Sequence, residues 1–273
     1  MLPKKPVHTI RTTKNSIRRV LVLPDTQGPY VDESLYAVEC MMADEKWSEI
    51  VHVGDFADFD CISTHNVNRL KTIEGKTLQA DFDWGNATID RWHKRSRGAK
   101  MTFIEGNHCF RLTRYIDANP QLSGVIEFPK VFKFKQRGVN WVPYWSKGTH
   151  YNIGNAYFIH GQYTSEHHAK KHVMRWGVNL FYGHLHDTQC FPLVLRGEDK
   201  TIVGQSLGCL CDYNQSYLQG RPTNWQQAFA VFDFFPNGYF TYNLVRIFQH
   251  RFSFEGQVYE GTPSDRAIVL AAS

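Results

Sequence analysis

Residues 19–23 (RVLVL) form a short, β-branched and leucine-rich apolar run that stops at Pro24, the pattern of a buried strand. Residues 32–47 (DESLYAVECMMADEKW) space their apolar positions as an amphipathic helix with an acidic first turn. Residues 49–55 (EIVHVGD) predict a second strand, ending at Gly54-Asp55. Strand, helix and strand in so short a span make a βαβ unit, whose two strands run parallel and end at the same sheet edge. Asp25 and Asp55, each just past a strand, are then expected to converge.

Farther on, residues 60–100 are mixed and polar and read as helices laid over the core, while residues 100–108 (KMTFIEGNH) give a third strand exit at Asn107-His108. Residues 109–120 read as a helix stopped before Pro120. From Val131 the pattern predicts short strands: residues 131–136 (VFKFKQ), 139–145 and 150–161, the last turned at Ile153-Gly154-Asn155. Residues 178–187 (VNLFYGHLHD) are another strand exit. Residues 193–208 and 228–247 read as hairpins, the second turned at Pro236-Asn237-Gly238. The organisation expected is a basic tail at 1–17, one domain at 18–254 with 60–100 as a helical insertion over the site, and a loose tail at 255–273.

Composition changes this picture little. A chain that is 42% hydrophobic and 14% aromatic has the make-up of a packed core. The net charge of +5 is partly local: Lys4, Lys5, Arg11, Lys14, Arg18 and Arg19 stand in a stretch without acids. That stretch suits either a polyanion or plain solvation. Residues 1–10 have no apolar signal core, and no apolar run approaches the ~20 residues of a membrane span. The expectation is therefore a cytoplasmic protein whose six cysteines are reduced. Cys209 and Cys211 form a lone C-x-C, which by itself is weak support for a metal.

The candidate chemistry lies at the exits: Asp25 with Gln27, Asp55, Asn107 with His108, His160, and His184 with His186. Each follows the same order of apolar run, small residue, then Asp, Asn or His; the carboxyl edge of an open sheet is where sites form. Gly54, Gly106 and Gly183 let backbone come close to a ligand. Taken singly, a Gly-Asp is more often a turn, and a histidine after a strand is more often a satisfied core group. The whole series exceeds the four ligands of a closed zinc site. It suits two ions ~3.5–4 Å apart that hold a hydroxide for in-line attack on phosphorus. In an extended segment His184 and His186 point the same way, toward two adjacent ions.

The series Asp25-x-Gln27, Gly54-Asp55, Gly106-Asn107-His108, His160-Gly161 and Gly183-His184-x-His186 resembles the calcineurin-like metallophosphoesterase superfamily, with some likeness in site pattern to its SbcD-type nuclease branch and to stand-alone, often phage-encoded, members. The resemblance implies an α/β fold, a four-layer αββα sandwich of two mixed sheets flanked by helices. It implies that Asp25 and His186 hold a first metal, that Asp55 bridges, and that Asn107, His160 and His184 hold a second. His108 would contact the phosphate and protonate or stabilise the leaving group.

Three departures matter. Gln27 stands where the usual D-x-H motif has histidine; an amide oxygen there would favour Mn²⁺, with Mg²⁺, Fe, Ni²⁺ or Zn²⁺ as other options. The rival reading turns Gln27 away from the site. Cys109 stands where an acid often follows G-N-H, and Phe59 where protein phosphatases have arginine. The expected substrate is a phosphodiester, with nucleic acid as one form of it, and a phosphomonoester as the alternative. A scaffold of this fold with little catalysis is a further rival. Arg111, Arg114 and His65 are candidates for phosphate contact. Trp84, Trp92, His93, Lys94, Arg95 and Arg97 are candidates for lining a strand's path by stacking and charge, or else for capping a helical insertion. No membrane partner is expected, and the sequence leaves the oligomeric state open.

Overall fold

The computed structural model describes residues 17–144, 150–198, 200–215, 218 and 220–263. The βαβ unit is built by β1 (Arg18–Leu23), α1 (Ser34–Asp44) and β2 (Glu49–His52), with Leu23 opposite His52 in a parallel pair. The helix is shorter than residues 32–47. Asp32 sits outside it, its carboxylate accepting from the Ser34 N–H at 2.8 Å.

Three short 3₁₀ turns lie between Asp60 and Ile73. There follow α2 (Leu78–Arg95), β3 (Lys100–Ile104), α3 (Phe110–Ala118), α4 (Phe128–Val131), α5 (Phe134–Arg137) and β4 (Asn140–Val142). The second half holds β5 (Tyr151–Ile153), β6 (Ala156–Ile159), α6 (His168–Trp176), β7 (Asn179–Tyr182), β8 (Cys190–Leu195) and β9 (Lys200–Ser206). It ends with β10 (Ala228–Phe234), β11 (Phe240–Arg246), β12 (Arg251–Phe254) and β13 (Gln257–Glu260).

Both large sheets are mixed, so the fold is mixed α/β. One runs β11-β10-β1-β2-β3-β4, with β1 to β4 parallel; the other runs β5-β6-β7-β9-β8, with β6, β7 and β9 parallel. Side-chain alternation divides β1 between two cores. Val20 and Val22 join Phe158, Phe181 and Phe232 from both sheets, whereas Leu21 and Leu23 join residues of α1 and α2. Because both faces are covered there, β1 is apolar from Val20 to Leu23, which is why that part of its sequence reads as an unbroken run. On the outer face of the second sheet, Ile159, Leu180 and Tyr182 pack with Trp176 of α6. Among the described residues no helix is long and apolar enough to cross a membrane.

Residues 131–136, expected as a strand, are instead the end of α4 and most of α5. Phe128 and Phe132, four apart, bring their rings to 4.9 Å, and Phe134 is 5.7 Å from Phe128. Helical turns gather all three into one aromatic cluster, and that packing overrides the local alternation. The C-terminal tail also differs from expectation as far as it is described. Gln257–Glu260 pairs with β12, and Phe252, Phe254 and Tyr259 are buried in the α1 core. Of the basic N-terminal stretch, Arg18 and Arg19 are described, and both are paired, with Glu49 and with Asp233, Glu45 and Glu255. The rest of that stretch lies outside the described residues.

Candidate metal centre

All five exits open at the carboxyl ends of parallel strands: β1 leads to Asp25 and Gln27, β2 to Asp55, β3 to Asn107 and His108, β6 to His160, and β7 to His184 and His186. At three of these exits, Gly54, Gly106 and Gly183, only glycine fits. A Cβ at Gly106 would collide with Asp55 Oδ1, and one at Gly183 with Asp25 Oδ2. The missing side chains let two backbone turns press directly on two carboxylates.

His160 connects the exits. Its Nδ1–H donates to the Val53 carbonyl at 3.1 Å, which turns Nε2 inward. That nitrogen lies 3.2 Å from Asp55 Oδ2 and 2.9 Å from Asn107 Oδ1, both of them oxygens. Asp55, His160 and His184 each set one donor atom within 4.8 Å of the other two. Burial disfavours a charge on His160, but Asp55 outweighs it and pushes the imidazole up to about 9. His184, by contrast, is held down at about 3 by burial and by the neighbouring His160. In the metal-free protein a proton on His160 thus supplies the positive charge that the converging lone pairs demand.

A second group forms around Asp25. The carboxylate accepts from the His184 backbone N–H at 3.0 and 3.1 Å, and its Oδ1 lies 3.4 Å from His186 Nε2. Gln27 points into the site, with Nε2 3.4 Å from His186 Nε2. Its Oε1 is buried and has no hydrogen-bond partner. A buried amide oxygen without a donor is costly, and a cation within its reach would satisfy it. The donors of Asp55, His160 and His184 fit a divalent ion. The expectation that His184 and His186 share a direction through extended backbone is corrected here. Both are left-handed, at φ 69° and 61°, with Leu185 N–H bonded back to the Gly183 carbonyl at 2.8 Å. The turn sends His184 toward Asp55 and His186 toward Asp25.

Beside these groups, His108 donates from its backbone to Asp55 Oδ1 at 2.7 Å, while its ring Nδ1 bonds Asp58 Oδ1. Sequence reasoning passed over Asp58, although its position three residues after Asp55 was a usable signal. Arg111 braces it, donating to the Asp58 carbonyl at 2.7 Å and carboxylate at 3.2 Å. His65, Asn66, Arg69 and Arg111 line a cavity of about 290 Å³ with Asn107 and His108. Arg114, its guanidinium over the Phe110 ring, lines a smaller neighbouring cavity with His65 and Arg111. A cavity of about 380 Å³ on the His160 and His184 side is lined by Tyr144, Tyr163 and the buried Glu105, which sequence reasoning also missed.

The tryptophan path is overturned. Trp84 and Trp92 are fully buried: Trp84 packs on Phe56 at 5.0 Å, and Trp92 donates to Glu39 at 3.0 Å and stacks on His52. Arg95 pairs with the same buried Glu39. The face that carries the two tryptophans is turned to the core, whereas Lys94 and Arg97 are exposed.

No protein-family model matches the chain. It is 25% identical to the Gene 54 protein of Mycobacterium phage L5 over 257 residues, spanning 89% of this chain and 99% of the relative. Over the same shares it is 24% identical to the Gene 54 protein of Mycobacterium phage D29. Among solved structures it aligns with the purple acid phosphatase PPD1 from yellow lupin seeds at a TM-score of 0.35 and 12% identity. That alignment covers 92% of this chain, which spans about half, 55%, of the phosphatase.

Proposed function

We propose that this protein is a metal-dependent phosphoesterase of the calcineurin-like type that hydrolyses phosphodiesters. The observation that carries the reading is His160 Nε2 turned inward among the Asp55 and Asn107 oxygens, together with the buried Gln27 Oε1 that has no hydrogen-bond partner. Asp25, Gln27 and His186 would hold one divalent ion, Asn107, His160 and His184 the other, with Asp55 between them. Oxygen donors at the first position favour Mn²⁺. When bound, such a pair stabilises charge developing on the phosphoryl oxygens and lowers the pKa of the attacking water.

The remaining work belongs to the chain. Asp58 fixes the His108 ring through Nδ1, which leaves Nε2 to hydrogen-bond the phosphate and to deliver a proton to the departing oxygen. Arg111, tied to Asp58, adds fixed positive charge within 3.4 Å of that Nε2. The larger cavity is bounded by His160 and the smaller by Asn107, and those two side chains are 2.9 Å apart. A diester has two arms and fills both cavities, whereas a monoester needs one; this favours the diester. The cationic lining of His65, Arg69, Arg111 and Arg114 suits an arm that carries further phosphates, as nucleic acid does. In fold terms, the helices on the outer face of each sheet support a four-layer αββα sandwich. The phage origin of the relatives supports a setting in the cytoplasm of a bacterial host.

The test is turnover of bis-p-nitrophenyl phosphate, p-nitrophenyl phosphate and single-stranded DNA with Mn²⁺. Diester turnover is expected to exceed monoester turnover, and His108→Ala to lower it about 10²–10⁴-fold. Monoester preference defeats the diesterase reading. Activity on none of the three with any divalent metal defeats the phosphoesterase reading.

A further inference from the structure

Cys209 and Cys211 stand at the other nitrogen of His186. While Nε2 of that ring faces Asp25, its Nδ1 lies 3.9 Å from Cys211 Sγ. One donor atom from each of His186, Cys209 and Cys211 lies within 4.8 Å of the other two, and all three residues are buried. Bond lengths of ~2.3 Å to sulfur and ~2.0–2.1 Å to nitrogen put the ligands of a tetrahedral zinc ~3.6–3.8 Å apart. Cys211 Sγ and His186 Nδ1, 3.9 Å apart, are close to that, and the other two pairs lie within 4.8 Å.

The backbone holding the thiols is fixed from both sides. Cys209 bridges to Gln227 and Cys211 to Val31, and Cys209 N–H donates to the Gln226 carbonyl at 3.1 Å. The two thiols hydrogen-bond each other, and Cys209 Sγ also lies 3.8 Å from the Gln226 carbonyl. Three donors are thus collected in one buried corner.

We propose that His186, through its Nδ1, forms with Cys209 and Cys211 a binding site for a thiophilic divalent cation of the zinc class, adjoining the oxygen-rich group and sharing the His186 ring with it. Binding replaces two thiol protons by the metal, and sulfur donors select Zn²⁺ over Mn²⁺ or Mg²⁺. Three protein donors leave one coordination position open, as in other three-ligand zinc sites. The proposal goes beyond the phosphoesterase reading and does not depend on it.

The test uses the full chain, kept reduced with a phosphine, stripped with chelator and titrated with Co²⁺. Thiolate-to-cobalt charge-transfer absorption is expected to saturate at one equivalent. It should vanish in the Cys209→Ser/Cys211→Ser double variant and persist in Asp55→Asn. A wild-type titration without that band overturns the proposal, and so does a band that survives the double variant. A band lost in Asp55→Asn overturns the claim of a site adjoining the oxygen-rich group. Because the double variant alters two buried positions, X-ray absorption on the zinc-loaded wild type gives an independent reading. Sulfur neighbours at ~2.3 Å are expected, and a shell of nitrogen and oxygen alone overturns the assignment.

Discussion

Asp58 is seated behind His108, its Oδ1 bonded to the ring Nδ1, and Arg111 grips the same aspartate through both carbonyl and carboxylate. The carboxylate that Cys109 fails to supply thus comes from the β2 exit. Cys109 itself is buried, its thiol set 3.7 Å from the Ala57 carbonyl. Asp58→Asn keeps the shape but loses the carboxylate that orients the imidazole. Turnover is expected to fall about 10–100-fold with bound metal unchanged. Steady-state kinetics alongside metal analysis check this, and a loss of metal in step with activity would contradict it.

Gln27 bears on metal identity. Its Oε1 is a buried neutral oxygen without a hydrogen-bond partner, and its Nε2 lies 3.4 Å from His186 Nε2. In Gln27→His an imidazole takes that position and shifts preference from Mn²⁺ toward Zn²⁺ or Ni²⁺. Competitive metal titration by calorimetry reads the change. Unaltered affinity and selectivity would mean that Gln27 is not a ligand.

Gly183→Ala brings a methyl group onto Asp25 Oδ2. The clash costs about 1–3 kcal/mol of stability, and Asp25 must move from the His184 N–H that now holds it. Metal affinity is expected to drop about 10–100-fold. Calorimetric titration and urea unfolding of the same sample separate the two effects.

Acid should weaken the metal-free fold through its neutral histidines, His52 and His172 as well as His184 at the site. Burial holds His52 down at about 3 and His172 at about 4. His52 Nδ1 accepts from the Gly54 N–H at 3.3 Å, and His172 Nε2 from the Gln162 N–H at 3.0 Å, so a proton on either breaks a bond. The unfolded chain takes those protons near pH 6.5. Stability is then full above that pH and declines as pH falls toward 4, by up to about 1.4 kcal/mol per pH unit for each histidine. His160, pushed up to about 9, has the opposite sign, and its contribution is lost as pH rises through 9. Melting temperatures across pH in chelator should show both flanks, and His172→Gln should flatten the acid one.

Much of the site was legible because its signals are local. An apolar run, a small residue and a polar exit lie consecutively in the chain, and a βαβ unit has one handedness and so one common edge. Five such exits named Asp25, Asp55, Asn107, His108, His160, His184 and His186 before any coordinates. What stayed hidden depended on packing between distant segments. Residues 131–136 alternate like a strand, but the Phe128, Phe132 and Phe134 rings close helical turns around a shared core. Trp84 and Trp92 look like a stacking surface until α2 lays them on Phe56, His52 and Glu39. The backing of His108 by Asp58, and of His186 by Cys211, joins residues 50 and 25 positions apart. The sequence by itself determined which chemical groups stand at the sheet edge, since strand periodicity and exits are short-range. Only the tertiary structure decided which group turns to which partner, because that follows from how two sheets and their helices close on one another.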